Sequence, residues 1–317
     1  MRVLVTGASG FVGTTLVDCF SKMADVSVVA MVRSSRDFRV NTNIEFRVGE
    51  ICSVGKISIF LDDIDVVVHA AGRAHIMNES SSDPIKEFRR VNTVGTLNLA
   101  EKAAIAGVKR FIFISTIKVL GEQTEPGRAF KSGDSFNPQD PYSISKVEAE
   151  VGLKLIGEAH GMEIVIIRPP LVYGKGVKGN FASLLKLARF PIPLPFGSIQ
   201  NKRSLVSVEN LVDLIVICLN HPNAKNQCFL VSDDDDMSTS TLFSRLAEAG
   251  GYKAYIFKFP LTILNILLRV LGKSSIYERL CGSMQVNIEY TKSQLSWKPP
   301  FKVKDTLSSC WLLDTER

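Results

Sequence analysis

Tyr142 and Lys146 stand four residues apart in Pro141-Tyr142-Ser143-Ile144-Ser145-Lys146, at the start of a helix-length segment. Spacing of four puts both side chains on one helical face. An ammonium beside a phenol favours the phenolate and lowers its pKa from roughly 10. Such a tyrosine can exchange a proton with a sugar or alcohol oxygen near neutral pH. The pair alone is a weak signal, but two neighbours add to it. The apolar run Phe111-Ile112-Phe113-Ile114 ends in Ser115-Thr116, which can offer a hydroxyl to the same oxygen. Asn92 sits within a helical segment, where an asparagine is ordinarily a neutral surface residue.

A second feature lies at the start of the chain. Val3-Leu4-Val5 reads as a strand and Thr14 to Ser21 as a helix, with Gly7, Gly10 and Gly13 in the turn between them. A glycine-rich strand-to-helix turn sets backbone N–H groups and the positive helix end against a pyrophosphate. The bland alternative is an ordinary βα turn. Its place between a clear strand and a helix favours dinucleotide binding.

The elements that must position these residues follow from hydrophobic patterning. Strand-like runs recur at Arg2–Thr6, Val26–Val32, Ile44–Val48, Val66–Ala70, Arg110–Ser115 and Glu163–Arg168. Helix-length segments lie between them, notably Pro84–Ala106 and Tyr142–His160. This alternation predicts a Rossmann-type doubly wound parallel α/β sheet, with ligands at the carboxyl ends of the strands. After Arg168-Pro169-Pro170 the texture changes, and Phe190 to Pro195 resists regular structure. Residues 1–168 therefore read as the dinucleotide-binding domain. Residues 169–317 read mainly as a smaller C-terminal α/β substrate lobe, with 204–219 rejoining the first domain. Asp233–Asp236 reads as a solvated turn leading into a helix.

Bulk properties narrow the class. The 317 residues are 45% apolar and 22% charged, with a net charge of +6 and no basic block. That is ordinary for a globular protein and argues against nucleic-acid binding. The six cysteines form no CxxC pair and read as reduced core thiols; the four histidines lack metal-ligand spacing. No secretory signal is evident, so the expected location is cytoplasmic. Phe259–Leu271 is too short to span a bilayer. It reads as an amphipathic helix over a core or partner, with a membrane-surface helix as the alternative.

Taken together, these motifs resemble the extended short-chain dehydrogenase/reductase superfamily, in its nucleotide-sugar epimerase, dehydratase and reductase branch. The likeness rests on Thr6-Gly7-x-x-Gly10-x-x-Gly13, His69-Ala70-Ala71-Gly72, Asn92, Ser115-Thr116 and Tyr142-x-x-x-Lys146. Arg168-Pro169 and Arg203 to Val208 extend it, in order, over roughly residues 1–213. The resemblance implies Tyr142 as acid/base, Lys146 as its pKa modulator and nicotinamide-ribose ligand, and Thr116 as the third member. It implies cofactor contacts from Gly7, Gly10, Phe11, Val12, Gly13, Ala70, Ala71 and Asn92, with Glu50 and Ile51 near the adenine. It also implies that Asn180 and Arg203 hold a sugar-nucleotide diphosphate, which suits arginine's planar fork. The sugar pocket then falls to Arg73, His75, Lys118 and the loop Val172–Lys178.

Two departures bear on the reaction. Related 4,6-dehydratases carry Thr-Asp-Glu where this chain has Thr116-Ile117-Lys118, so dehydration is disfavoured; Lys118 either contacts substrate or is solvated. After the second strand the chain reads Arg33-Ser34-Ser35-Arg36, with no acidic residue before Asp37. NAD-selective members place an acid there for the ribose hydroxyls, so NADP(H) is favoured over NAD(H). The leading expectation is accordingly 4-ketoreduction of a UDP-4-keto-6-deoxy-N-acetylhexosamine in surface-polysaccharide precursor synthesis. The alternative is a UDP-glucose or UDP-N-acetylglucosamine 4-epimerase with tightly bound NAD. A non-catalytic dinucleotide sensor is the reading from another class. Homodimerisation is typical of the superfamily, and no feature of the chain settles it.

Overall fold

Short apolar runs, each too short for a helix and flanked by turn residues, become parallel strands in the computed structural model, which describes residues 1–34, 44–51, 61–74 and 83–312. They are β1 (Arg2–Thr6), β2 (Ser27–Val32), β3 (Ile44–Val48), β4 (Val66–His69), β5 (Arg110–Ile114) and β6 (Glu163–Arg168). Two further strands, β7 (Leu171–Tyr173) and β8 (Leu205–Ser207), pair only with each other. A ninth, β9 (Cys228–Leu230), returns to the main sheet beside β6. The sheet order is β3-β2-β1-β4-β5-β6-β9, all parallel. Because the order reverses at β1, a crevice opens between the carboxyl ends of β1 and β4.

Register fixes those ends at one level. Thr6 pairs with Met31 on one side and His69 on the other, and His69 pairs with Phe113. The turns that follow β2, β1, β4 and β5 therefore share one edge.

Helices cover both faces. On one, α1 (Phe11–Ser21) presents Leu16, Val17 and Phe20 to the sheet. The short α2 (Pro84–Phe88) and α3 (Thr96–Ile105) follow, and between them Arg89–Gly95 forms a π-helical turn. The expected helix Pro84–Ala106 is thus three pieces, because an extra residue per turn rotates Asn92 inward. The long α4 (Pro141–His160) packs on α3 against the opposite face, with Leu99, Ala100 and Ala103 near Ala149 and Leu153. Asp140 and Ser143 form a reciprocal capping box, Pro141 occupies the first turn, and Gly161 ends α4 at φ 73°.

The remaining chain builds α5 (Gly179–Ala188), α6 (Val208–Cys218), α7 (Thr239–Ala249), α8 (Leu261–Val270), α9 (Ser274–Cys281), α10 (Glu289–Leu295) and α11 (Val303–Ser309). Leu211, Val212, Leu214 and Ile215 of α6 share the core of α1. Asp233 departs from the solvated turn expected of it. It accepts hydrogen bonds from Tyr173 Oη (2.7 Å), the Ser207 N–H (2.9 Å) and Asn210 Nδ2 (2.7 Å). It thereby ties β7, β8 and α6 together, and burial raises its pKa despite those donors. No helix among the described residues is long and apolar enough to cross a membrane. Cys19, Cys218, Cys228, Cys281 and Cys310 carry free thiols, and Cys52 lies outside the described residues.

At the β1–α1 turn, Gly7 has φ 66°, and a Cβ there would sit 2.6 Å from the Ala71 nitrogen. A Cβ on Gly13 would fall 2.0 Å from the Gly7 carbonyl oxygen. Gly13→Ala is therefore expected to lower the unfolding free energy by about 1–3 kcal/mol. Gly133→Ala, on an exposed loop with open space around it, should stay within about 0.5 kcal/mol of the parent. Urea titrations of both variants check the contrast, and equal losses would contradict the tight turn.

Candidate functional site

The carboxyl edge of the sheet gathers most of the residues singled out by the sequence. The glycine turn follows β1, Arg33 follows β2, Glu50 and Ile51 follow β3, and Ala70 and Ala71 follow β4. Ser115 and Thr116 follow β5, beside the first turns of α4, which carry Tyr142 and Lys146. Arg36, Asp37 and His75 lie outside the described residues.

The turn after β1 fits a dinucleotide. Gly10 caps α1 with no side chain, no acidic residue stands in the first turn, and the Gly10 N–H returns to the Gly7 carbonyl at 2.8 Å. The N–H groups of Phe11, Val12 and Gly13 thus lack intrahelical partners at the positive helix end, where a pyrophosphate is favoured. Arg33 and Glu50 are exposed, whereas Ile51 is buried and lies 3.4 Å from where a Cβ on Gly95 would stand.

Beneath this edge lies a buried polar layer that local spacing does not reveal. His69 sits between Thr6 Oγ1 (2.6 Å from Nδ1) and Thr96 Oγ1 (2.9 Å from Nε2), and stacks on Phe113. Burial, helped by the Lys146 charge, pushes its pKa down to about 3. Asn92 is 1% exposed, unlike the surface asparagine usual in a helix. Its Oδ1 accepts the Arg73 N–H at 2.8 Å, while its Nδ2 donates to the Arg73 carbonyl and to Ser145 Oγ, each at 3.1 Å. In this structure Asn92 binds the chain after β4 to α4.

Helix α4 is held at further points. Lys146 Nζ donates to the Ile114 carbonyl at 2.7 Å and lies 4.1 Å from the Phe113 ring centroid. Glu150, fully buried, pairs with Arg168 at 2.6 Å and accepts the Ser115 hydroxyl. Ser115 is therefore committed to the core, while Thr116 Oγ1 accepts the Lys118 N–H at 3.3 Å and favours the Tyr142 phenolate. Lys118 is ion-paired, with its side chain 37% exposed. Its ammonium bridges Glu122 (2.9 Å) and Asp140 (2.8 Å), the N-cap of α4. Burial opposes its charge, but the two carboxylates outweigh it and its pKa is raised.

The phenol also differs from the sequence expectation. Burial first, and then the Asp140 carboxylate, push Tyr142 up to about 12, against the opposing Thr116 hydroxyl. Lys146 does not lower it, because the ammonium is turned to the Ile114 carbonyl and burial brings its own pKa down to about 7.

On the substrate side, Arg73 lies over the Phe88 ring at 5.6 Å. Arg203 Nη1 donates to the carbonyls of Arg279 (2.5 Å) and Gly282 (3.2 Å), and burial lowers its pKa. A guanidinium supported by carbonyls suits an anion, since no carboxylate takes up its charge among these contacts. Asn180 is the second residue of α5, and its side chain lies outside what the structure describes.

Comparison with known proteins is consistent in direction. The pattern defining the NAD dependent epimerase/dehydratase family matches residues 3–231. A Vibrio cholerae protein named UDP-glucose 4-epimerase is 48% identical over 299 residues, covering 94% of this chain and 90% of its own. Among solved structures, the UDP-glucose 4-epimerase of Thermotoga maritima with UDP-glucose superposes with a TM-score of 0.79 at 21% identity, over 98% of this chain and 97% of that one. The UDP-glucuronic acid 4-epimerase of Bacillus cereus, in complex with UDP-glucuronic acid and NAD, gives 0.79 at 23% identity over 98% of each chain. At those identities the two structures speak for the fold.

The depressed His69 pKa has a stability consequence. The unfolded chain protonates this imidazole near 6.5, whereas the folded chain resists until about 3. Its contribution is therefore present above 6.5 and is lost as pH falls toward 3. His69→Gln should flatten the fall of the urea midpoint across that window. An acid slope equal to the parent's would contradict a neutral, buried His69.

Proposed function

The chain belongs to the NAD dependent epimerase/dehydratase family, and from that premise we propose that it is a UDP-sugar 4-epimerase, acting on UDP-glucose or UDP-N-acetylglucosamine with a retained NAD. The likeness to the Vibrio cholerae 4-epimerase carries this reading, and the placement of Thr116, Tyr142 and Lys146 at one strand end is what the chemistry requires. The 4-ketoreductase reading and the preference for NADP rest on Arg33 among the described residues. An exposed arginine there can stack on adenine with either cofactor, so it does not outweigh the relatives.

In this proposal the uncapped N-terminus of α1 and the glycine turn hold the pyrophosphate. When bound, NAD takes up and returns the hydride of the sugar C4 carbon. Once ionised, with its own proton released to solvent, Tyr142 Oη would accept the O4 proton as the alcohol becomes a ketone, then return it to O4 after the sugar has presented its opposite face. Thr116 Oγ1, which favours the phenolate, would hydrogen-bond the same oxygen and steady the charge that develops there. A phenol resting near 12 is a poor base, so the proton transfer depends on positive charge being brought close to it. Lys146, in the next turn of α4, would supply it only on turning from the Ile114 carbonyl that holds it in this structure. Lys118, by holding Asp140, offsets the carboxylate that most opposes Tyr142 ionisation. Arg203 and Asn180 serve the diphosphate, and Arg73 and Phe88 flank the approach to the sugar.

Tyr142→Phe should reduce interconversion of UDP-glucose and its C4 epimer by about 100-fold or more while leaving dinucleotide affinity nearly unchanged. Turnover at the parent rate would remove Tyr142 from the chemistry. Failure of the parent protein to interconvert either UDP-sugar pair would overturn the epimerase reading.

A further inference from the structure

One helix of the C-terminal part presents its apolar side outward. In α8, Leu264 is buried, at 8% exposure, while Ile263, Ile266, Leu267, Val270 and the adjoining Leu271 are exposed, Val270 to 81%. Their spacing of three and four places these five on one helical face. Monomeric proteins scatter exposed aliphatic residues singly, so a stripe of five calls for an occupant. The strand-like segment leading into α8 adds Tyr255 and Phe257, both exposed and held by the Leu194 backbone.

Charge around this stripe is one-sided. From Ala249 to Tyr277 the chain holds Lys253, Lys258, Arg269 and Lys273 and no Asp or Glu, and all four cations are exposed. An outward apolar helix face, exposed aromatics beside it and a purely basic border together match a surface helix that lies in the headgroup region of an anionic bilayer. A second copy of the chain is the poorer occupant. A two-fold contact through this stripe would set the same cations against one another, with no acidic residue between Ala249 and Tyr277 to answer them.

We propose that the α8 face is a peripheral docking surface for membranes containing anionic phospholipid, with the apolar stripe entering the acyl boundary and the four cations reading the headgroups. Helix α9 follows directly, and its last residues lead to the Arg279 and Gly282 carbonyls that hold Arg203. Docking therefore places the membrane beside the α9 end that supports the diphosphate arginine, while the catalytic edge remains on the main sheet.

The test is flotation of the full chain with phosphatidylcholine vesicles, with and without phosphatidylglycerol, at low and high salt. The expected result is co-flotation with phosphatidylglycerol vesicles, at least about tenfold weaker with phosphatidylcholine alone or at high salt. The double variant Ile266→Glu/Val270→Glu changes only exposed positions; it should keep its catalytic rate and lose flotation. A parent chain that stays with the soluble fraction at low salt overturns the proposal, as does a double variant that floats like the parent. A parent that elutes as a dimer, a double variant that elutes as a monomer, and no flotation by either would assign the stripe to a second copy instead.

Discussion

The site depends on helix α4 being fixed in depth against the ends of β4 and β5. Four attachments along one side accomplish this. Asp140 is gripped by Lys118, Ser145 by Asn92, Lys146 by the Ile114 carbonyl, and Glu150 by Ser115 and Arg168. Ser145, Lys146 and Glu150 fall within about 140° of the circumference of α4, and Asp140 caps its start. Ser145, Lys146 and Glu150 are buried, and the partners of Ser145 and Glu150 are buried too, so a displacement of α4 would strand charges and amides away from water. Asn92 has the widest reach, because the same side chain also holds both main-chain groups of Arg73. A shift of the helix would then be felt in the crevice after β4, where the dinucleotide and the sugar must meet.

This anchoring also shapes the electrostatics. Lys146 is held so deep that its own charge is weakened, and the phenol of Tyr142 stays protonated in the resting chain. The residues that would ease its ionisation act from fixed positions. Thr116 favours the phenolate, and Lys118 pairs with Asp140 at the helix cap. A proton-exchanging tyrosine of this kind is quiet until charge is brought to it, which suits an enzyme that must move one proton both ways. The bulk of the machinery therefore consists of positioning groups, and few side chains touch the reacting atoms.

Much of this was legible in the sequence, for physical reasons that also explain the rest. Arg2–Thr6, Ile44–Val48 and Glu163–Arg168 are strands at the bounds their apolar patterns give, and the glycine turn announced itself by residue type. Local periodicity reports whether a face is apolar, so it found the sheet and the Tyr142–Lys146 face. It carries no information on partners distant in sequence. Lys118 meets Asp140 across 22 residues and Asn92 meets Ser145 across 53, so neither partner could be read from local spacing. The Asp140–Ser143 capping box was a local signal available for α4, and it would have placed Asp140 at the helix start. The π-helical turn that swings Asn92 inward leaves no mark in composition. Arg33 decides less: a basic residue at the end of β2 suggests a 2′-phosphate, and an exposed arginine also suits either dinucleotide by stacking on adenine.

The central claim is that this chain runs a closed redox cycle on a nucleotide it keeps. The most direct measurement is to desalt the purified protein, release any bound nucleotide by heat, and identify and count it by mass. The account predicts NAD at close to one per chain. A chain that releases nothing, and afterwards binds NADPH in preference to NADH, would contradict it and return the ketoreductase to first place.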